Sequence, residues 1–355
     1  MHGEDQMMKV GASKPSAEAV DAVIAKWRER PRLGATQMIA KYGPPQDVTA
    51  DLLVWRNPGP FKRIAVMNLE TPHDFPLPHV DFLEHTIAYD VPQDKVGDLV
   101  EFDGSSTINR TVGELSARCD LEGHNILTLN LDHDIVTGKK TVQEARTAFG
   151  EIVVQDVMGK RPAYVEGLQF ETANMDDAAF PDVSVIPGAP MRAVMAGDAS
   201  NRDSSSAIDG EVLATCIAVD LNEVLAAGHA QTEKISQPVK SYAKMLHEAH
   251  GENMVKAMKL GEQNGITPLI TAKVEKLQVK GAGELAALVP LDGSAFEKAY
   301  VAAMVKGHTE ALAMIDGELM KAARNEALKQ HLTASRAHVA DHLEKAKRLQ
   351  KSPTQ

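Results

Sequence analysis

The spacing of apolar residues divides the chain into two parts of different character. Through residues 16–170 short apolar runs alternate with helical stripes, whereas a helical period continues almost without interruption through residues 209–350. The stretch between them, residues 171–208, contains several prolines and ends in a polar, serine-rich segment, so we expect a linker there. The pattern therefore predicts an α+β N-terminal domain and an all-α C-terminal domain.

The first part has the pattern of a small antiparallel sheet packed by helices. Two short apolar runs on either side of the Asn57-Pro-Gly-Pro60 turn predict a β-hairpin. Residues 16–42 carry helical stripes with an expected break at Pro31, and Gly43-Pro44 ends the second of these helices. Further strands are expected at 82–89 and within 105–118, and further helices at 121–135 and 142–158.

The C-terminal part predicts four helices of roughly 25 residues, which an antiparallel four-helix bundle would accommodate. The second helix is expected to begin near Ser236 and to stop at Gly265, a left-handed stop signal. The third opens with Ser294-Ala-Phe-Glu297, which has the pattern of a capping box. The first and fourth helices are expected at about 210–234 and 325–350.

Several short segments of the C-terminal part occur in the order and spacing of a known family. They are Val239-Lys-Ser-Tyr-Ala243 with His250 and Asn253, Gly265-Ile-Thr-Pro268, Phe296-Glu-Lys-Ala-Tyr300 with Met304, Val305 and His308, and His342-Leu343 with Ala346. On these residues the C-terminal part resembles a bacterial ferritin-like domain of unknown function, often labelled a predicted outer-membrane protein. The resemblance implies a ferritin-like four-helix fold and no settled activity.

The resemblance is incomplete at three points. Leu246 stands where family members usually carry methionine, and Gly307 replaces a common acidic residue. The export signal that is usual in the family is not found. The first part resembles uncharacterised bacterial proteins that share the Lys41-Tyr-Gly-Pro-Pro45 segment and the Trp55-Arg-Asn57 hairpin, and this resemblance implies no function.

Each predicted bundle helix carries a histidine or a carboxylate on its inward apolar stripe. Glu223, His250 and His308 lie on the first three stripes, and a rise of about 1.5 Å per residue gives them similar heights. On the fourth helix His338 fits that height better than His342, which falls about one turn away. These five residues are the predicted metal ligands, because imidazole and carboxylate suit zinc, copper or iron.

Other interpretations of the inward histidines stay open. His250 and His308 would also serve as buried polar residues that are bonded to each other, to Tyr242 or Tyr300, or to water. A di-iron carboxylate site is disfavoured, because that chemistry needs Glu-x-x-His on two helices and the inward stripes carry none.

Three histidines of the first part fall within one proline-rich stretch, residues 72–85. His73, His79 and His85 are secondary candidates to line a metal or substrate pocket, although such a stretch is also typical of an ordered surface loop. We expect Cys119 to be structural, because no base accompanies it in the sequence. The Asp-His-Asp triplet at 132–134 is expected on a helix face or at a helix end.

Composition and net charge reduce the classes of partner that we expect. The 355 residues carry a net charge of -11, and because phosphate binding needs a basic face, no nucleic-acid partner is expected. The two cysteines form neither a disulfide framework nor a Cys-x-x-Cys metal site. No stretch approaches about 18 consecutive apolar residues, so we expect no membrane span. The start lacks a signal-peptide core, which favours the cytoplasm, or the periplasm if an export signal was removed.

Three functions are compatible with these features. The first is a metal-binding or stress-related helical-bundle protein. The second is a non-enzymatic interaction or assembly module with a protein partner or a second copy of the chain. The third is an enzyme with a histidine-lined pocket in the first domain. No reaction is predicted, because the sequence lacks Gly-x-Ser-x-Gly, a P-loop and His-Glu-x-x-His.

Overall fold

The computed structural model describes residues 15–193 and 204–351. The chain divides into two compact units, Met1–Asp182 and Val183–Gln355, and each has buried apolar clusters of its own. The boundary falls inside the stretch 171–208 for which the sequence predicts a linker. Residues 194–203 of that stretch lie outside the described residues.

Within the described residues, the first unit consists of a six-stranded sheet and its helices. Its strands are β1 (Asp47–Val48), β2 (Leu52–Arg56), β3 (Arg63–His73), β4 (His79–Ala88), β5 (Thr107–Asn109) and β6 (Glu114–Cys119). Its helices are α1 (Ala17–Ile24), α2 (Glu29–Tyr42), α3 (Val96–Phe102), α4 (Glu122–Val136), α5 (Val142–Val157), α6 (Ala163–Glu166) and α7 (Met175–Ala178), with a 3-10 turn at Gln93–Lys95. The expected combination of helices with an antiparallel sheet is confirmed.

The sheet has the strand order β1-β2-β3-β4-β6-β5, and its pairings are antiparallel. β2 and β3 form the hairpin predicted around Asn57-Pro-Gly-Pro60. Because successive side chains of a strand face opposite sides, Phe82 and His85 of β4 point to different faces. Phe82 packs directly against Gly34 of α2, and His85 contacts Asn125 of α4. The two faces of β4 are therefore covered by different helices.

The expected helix break at Pro31 is wrong by several residues. α1 ends at Ile24 and α2 begins at Glu29, so Pro31 lies in the first turn of α2. Proline is tolerated there because the first amides of a helix have no acceptor within it. The break is stabilised by Trp27, which is 4% exposed and whose indole N–H donates to the Ala50 carbonyl at 2.6 Å.

The second unit is helical. Its helices are α8 (Ser204–Thr232), α9 (Gln237–Asn264), α10 (Ala272–Leu288), α11 (Gly293–Met314), α12 (Met320–Ala322) and α13 (Glu326–Lys351). A π-helical segment, Ile315–Leu319, joins α11 to α12, and β7 (Met191–Arg192) forms a short parallel pair with β8 (Leu269–Ile270). α8 packs against α9 and α10, and α13 packs against α9 and α11.

The helix ends confirm one sequence signal and correct another. Gly265 ends α9 in the left-handed conformation, with φ 66°, as expected. The capping box at Ser294 is wrong, because Asp292 precedes the first residue of α11 and Ser294 lies inside the helix. The Glu297 carboxylate instead accepts hydrogen bonds from the Ser236 amide at 2.6 Å and the Ser236 hydroxyl at 2.9 Å. It thus joins the first turn of α11 to the start of α9.

One helix, Ser206–Thr232 within α8, is long and apolar enough to cross a membrane by length and composition. The criterion of about 18 consecutive apolar residues does not detect this helix, because a few polar residues divide the segment. Just over half of its most apolar window is buried inside the protein. Length and composition are weak evidence for a span, since the core helix of a helical unit meets the same criteria.

Replacing Glu297 with alanine is expected to lower the free energy of unfolding of the second unit by about 1–2 kcal/mol, because Ser236 loses the acceptor of its amide and hydroxyl. Urea denaturation followed by far-ultraviolet circular dichroism measures the change. Lys298→Ala is the matched control, since Lys298 is the exposed neighbour on the same helix. Equal destabilisation by the two substitutions would contradict the role of the carboxylate.

Candidate metal centre

Three buried histidines of the second unit converge from three helices. His250 belongs to α9, His308 to α11 and His342 to α13, and they are 4%, 1% and 5% exposed. One ring nitrogen of each lies within 4.8 Å of the corresponding nitrogens of the other two. The three rings meet edge to face, with centroids 5.1, 5.5 and 5.7 Å apart. Three imidazoles from different helices therefore surround one point.

The helical period explains why these side chains point inward. Buried residues recur every three or four positions along each helix, so they form a stripe on one face. The stripes are Tyr242, Leu246, His250 and Ala257 in α9, Phe296, Tyr300, Met304 and His308 in α11, and Ser335, Val339, His342 and Ala346 in α13. Each histidine occupies a position in its stripe that an apolar residue would otherwise fill.

The histidines belong to a polar layer that crosses the second unit. We define this layer by its members Asp220, His250, Asn253, His308 and His342. Apolar clusters lie on either side of it along the helices. One contains Ala227, Leu246, Tyr300 and Ala346, and the other contains Cys216, Ala257, Ile315 and Val339. The layer is thus enclosed by apolar side chains above and below.

Asp220 of α8 orients the first histidine. His250 donates its Nδ1–H to Asp220 Oδ1 at 2.8 Å, so Nε2 is the nitrogen that faces the layer. Asn253 donates to the other carboxylate oxygen at 2.8 Å and accepts from the Ser335 hydroxyl at 3.2 Å. His250 Nε2 lies 3.3 Å from His342 Nδ1. A carboxylate that holds the far nitrogen of a histidine is the usual outer partner of a metal-bound imidazole.

His308 is oriented by the backbone of its own helix. Its Nδ1–H donates to the Met304 carbonyl at 2.8 Å, so Nε2 is the acceptor nitrogen of the ring. Nε2 is buried and has no hydrogen-bond partner among the described residues. An unpartnered buried acceptor costs about 1–3 kcal/mol, so a structure that retains one calls for a functional explanation.

The pKa values follow from burial and from the neighbouring charges. Burial lowers the pKa of His308, and burial together with the adjacent His250 and His308 lowers the pKa of His342 to about 3. For His250 burial acts in the same direction, but the Asp220 hydrogen bond and the charges of Glu223 and Asp220 outweigh it and raise the pKa. His308 and His342 are therefore neutral at neutral pH, and each ring has one nitrogen with a lone pair.

Two of the five predicted ligands lie outside the group. Glu223 Oε1 is 3.8 Å from His308 Nδ1, the nitrogen that already donates to Met304, and Glu223 is not part of the converging group. His338 is exposed and lines the same cavity, but of these two candidates it is His342, which height along the helix favoured less, that joins the converging imidazoles. Rotation about the helix axis decides the matter, because only His342 shares the buried stripe of α13.

Sequence reasoning missed Asp220 as a site residue. It lies on the inward stripe of α8 one turn before Glu223, and its position there was the available signal. Asp220, His250 and His342 also line a cavity of about 40 Å³, together with residues of the π-helical segment. One water needs roughly 10–15 Å³ in such a cavity, so a small ligand has room beside the histidines.

In the first unit the three secondary candidates separate into two groups. His73 at the end of β3 is opposite His79 at the start of β4, with ring centroids 4.9 Å apart. His85 does not join them. Its Nδ1 accepts from Asn125 at 3.0 Å and its Nε2–H donates to Glu122 at 3.3 Å, so both nitrogens have partners.

The expectation that Cys119 has no base beside it is wrong. Its Sγ lies 3.2 Å from His79 Nε2 and 3.8 Å from His124 Nδ1. Contacts with Asp81 and Cys119 raise the pKa of His79 to about 11, against the effect of burial. Burial raises the pKa of the Cys119 thiol, which disfavours a free thiolate nucleophile. The Asp132-His-Asp134 triplet lies in the last part of α4, as expected, with both carboxylates buried.

The helical part of the chain matches one family model. Residues 194–349 match the model of a family described as a domain of unknown function (DUF4142). A search of curated proteins and a search of solved structures gave no match. The match supports a C-terminal domain of unknown function; its description assigns no activity, and it does not extend to the first unit.

Replacing His342 with glutamine is expected to reduce the loss of stability at acid pH. The unfolded chain binds a proton at this histidine below its ordinary pKa, whereas the folded chain does not until about pH 3, so stability falls between the two values. Urea midpoints measured at several pH values with a chelator present test this. His338→Gln, one turn away and exposed, is the control. An unchanged acid dependence in His342→Gln would contradict the assignment.

Proposed function

We propose that the second unit is an antiparallel four-helix bundle of the ferritin-like type that binds one transition-metal ion through His250, His308 and His342. The observation that carries the proposal is the convergence of three buried ring nitrogens within 4.8 Å, one of which has no other partner. The ion would be zinc, copper or iron, because these are the common ions of imidazole sites.

The bundle part of the proposal rests on helix packing. α8 packs against α9, α9 against α13 and α13 against α11, so each long helix has a neighbour with which it shares an apolar stripe. Bundles of this type place their metal sites in the core, on side chains of facing helices. The same part of the chain, residues 194–349, matches the model of a domain of unknown function, whose description neither supports nor opposes a bundle.

The metal part rests on how each ring is held. In His250 the nitrogen that faces away from the group is bonded to Asp220, and in His308 it is bonded to the Met304 carbonyl. Both rings therefore direct Nε2 toward the group, and His250 must lose its Nε2 proton when the ion binds. Three protein ligands leave a further position open, which is typical of sites that bind water or a small ligand.

The competing interpretation, that the histidines are only satisfied polar residues, accounts for part of the site. It fits His250, whose two nitrogens contact Asp220 and His342. It does not fit His308, whose Nε2 is buried without a partner among the described residues. Tyr242 is not the partner of either ring, since its hydroxyl donates to the His342 carbonyl at 3.0 Å. A metal ion satisfies all three nitrogens at once.

The double variant His250→Ala, His308→Ala is expected to bind one ion fewer per chain than the wild type. Untagged protein is stripped with a chelator, dialysed separately against zinc, copper and iron(II), and analysed by plasma mass spectrometry. The control is His247→Ala, because His247 is exposed on the same helix as His250 and lies outside the polar layer. Equal metal content and equal affinity in wild type and double variant would rule the proposal out.

Asp220→Asn is expected to lower the affinity for the same ion by about 10–100-fold and to leave the number of sites unchanged. The substitution removes the negative charge that contacts His250 and keeps the three ligands in place. Competition with a chromophoric chelator measures the affinity. Glu252→Gln, an exposed carboxylate of α9, is the matched control. An affinity unchanged in Asp220→Asn would mean that this carboxylate does not act on the ion.

A further inference from the structure

A second group of ligand-type side chains lies in the first unit, on the face of the sheet that α4 covers. His73 and His79 are register partners across the β3–β4 hairpin, and Asp81 follows two residues after His79. Because side chains two apart on a strand face the same side, His79 and Asp81 project together with His73. The fold, rather than chance surface proximity, brings these three residues to one point.

The distances within this group are those of atoms around a common ion. Asp81 Oδ1 is 3.1 Å from His79 Nε2, and Asp81 Oδ2 is 3.2 Å from His73 Nδ1. One ligand atom of each of the three residues lies within 4.8 Å of the others. Metal bonds of about 2.0–2.2 Å separate neighbouring nitrogen and oxygen ligands by roughly 3 Å, which matches both contacts.

Two of these atoms have no hydrogen-bond partner although they are close to a neighbour. Asp81 Oδ1 and His73 Nδ1 are buried and unpartnered among the described residues, because the short contacts do not have hydrogen-bond geometry. Asp81 is 4% exposed. A protonated His79 gives Asp81 an ion-pair partner but leaves His73 Nδ1 without a hydrogen-bond partner. A metal ion between the three side chains would give both of these atoms a partner.

In each histidine the ring nitrogen that does not face Asp81 contacts another oxygen atom. His79 donates its Nδ1–H to the Leu77 carbonyl at 2.8 Å, so Nε2 is the nitrogen that faces Asp81, and this nitrogen must lose its proton when a metal binds. His73 Nε2 lies 3.5 Å from the buried Asp103 carboxylate. A carbonyl or a carboxylate behind each ring is the arrangement found around metal-bound histidines. The side chains of His73 and His79 are 17% and 10% exposed, so an ion can reach them.

We propose that His73, His79 and Asp81 form a second metal site, independent of the polar layer, that binds iron(II) or zinc. Two imidazoles and one carboxylate are the ligand set of non-haem iron(II) sites and of several zinc sites, and they leave coordination positions open for water or a substrate oxygen. Asp120, near Cys119 and His79, belongs to the competing ligand group His79, Cys119 and Asp120, which the proposal excludes.

Tryptophan fluorescence gives a readout that is confined to the first unit, because both tryptophans of the chain, Trp27 and Trp55, lie in it. In the full chain, zinc, or iron(II) under anaerobic conditions, is expected to raise the tryptophan-monitored unfolding temperature by about 5–10 °C at a hundredfold excess over Kd. No rise with either ion in the wild type would overturn the proposal whatever the variants do.

The matched pair Asp81→Asn and Asp120→Asn then assigns the ligands. Asp81→Asn is expected to abolish the temperature rise and to lose one bound ion per chain, and Asp120→Asn to keep both. His73→Ala, at a partly exposed strand end, repeats the test with a change outside the buried carboxylate. The reverse pattern, with the effect lost in Asp120→Asn and kept in Asp81→Asn, would overturn the proposal. The same measurements in the His250→Ala, His308→Ala background keep it separate from the polar layer.

Discussion

The Asp220 carboxylate is the group on which the arrangement of the second unit depends. It is 3% exposed and lies in a layer enclosed by apolar clusters, where an ionised group is tolerated only with hydrogen-bond partners. His250 and Asn253 of α9 both donate to it, and Asn253 in turn accepts from Ser335 of α13. One carboxylate of α8 thereby sets the position of α9, and through Asn253 that of α13.

The two histidine groups differ from an ordinary core histidine in the same way. His85 is fully buried in the first unit, yet both of its nitrogens have partners, and burial lowers its pKa so that it stays neutral. His308 and His73 each keep one buried nitrogen without a partner. His229 and His331 also keep a buried nitrogen without a partner but belong to neither group, so the convergence with other ligand atoms is what distinguishes His308 and His73.

Local sequence patterns predicted the structural features that depend on a single segment of the chain. Helical period placed His250 and His308 on inward stripes, and the Asn57-Pro-Gly-Pro60 turn predicted its hairpin. On the fourth helix, height along the axis favours His338, whereas the buried stripe of α13 contains His342. The partners Asp220 with His250 and Asp81 with His73 depend on packing and strand register between distant segments, which no local pattern contains. Glu297 shows the same limit: its partner is Ser236, on another helix, and not the nearby Ser294.

The polar layer also restricts how the helices can slide past one another. If α9 or α11 moved by one turn along its neighbours, His250 or His308 would enter an apolar cluster, and Leu246 or Met304 would take its place in the layer. Alternative alignments of uniformly apolar helices differ little in energy, whereas these would leave an imidazole and a carboxylate unpaired. The layer therefore selects a single alignment from several that the apolar stripes alone would accept.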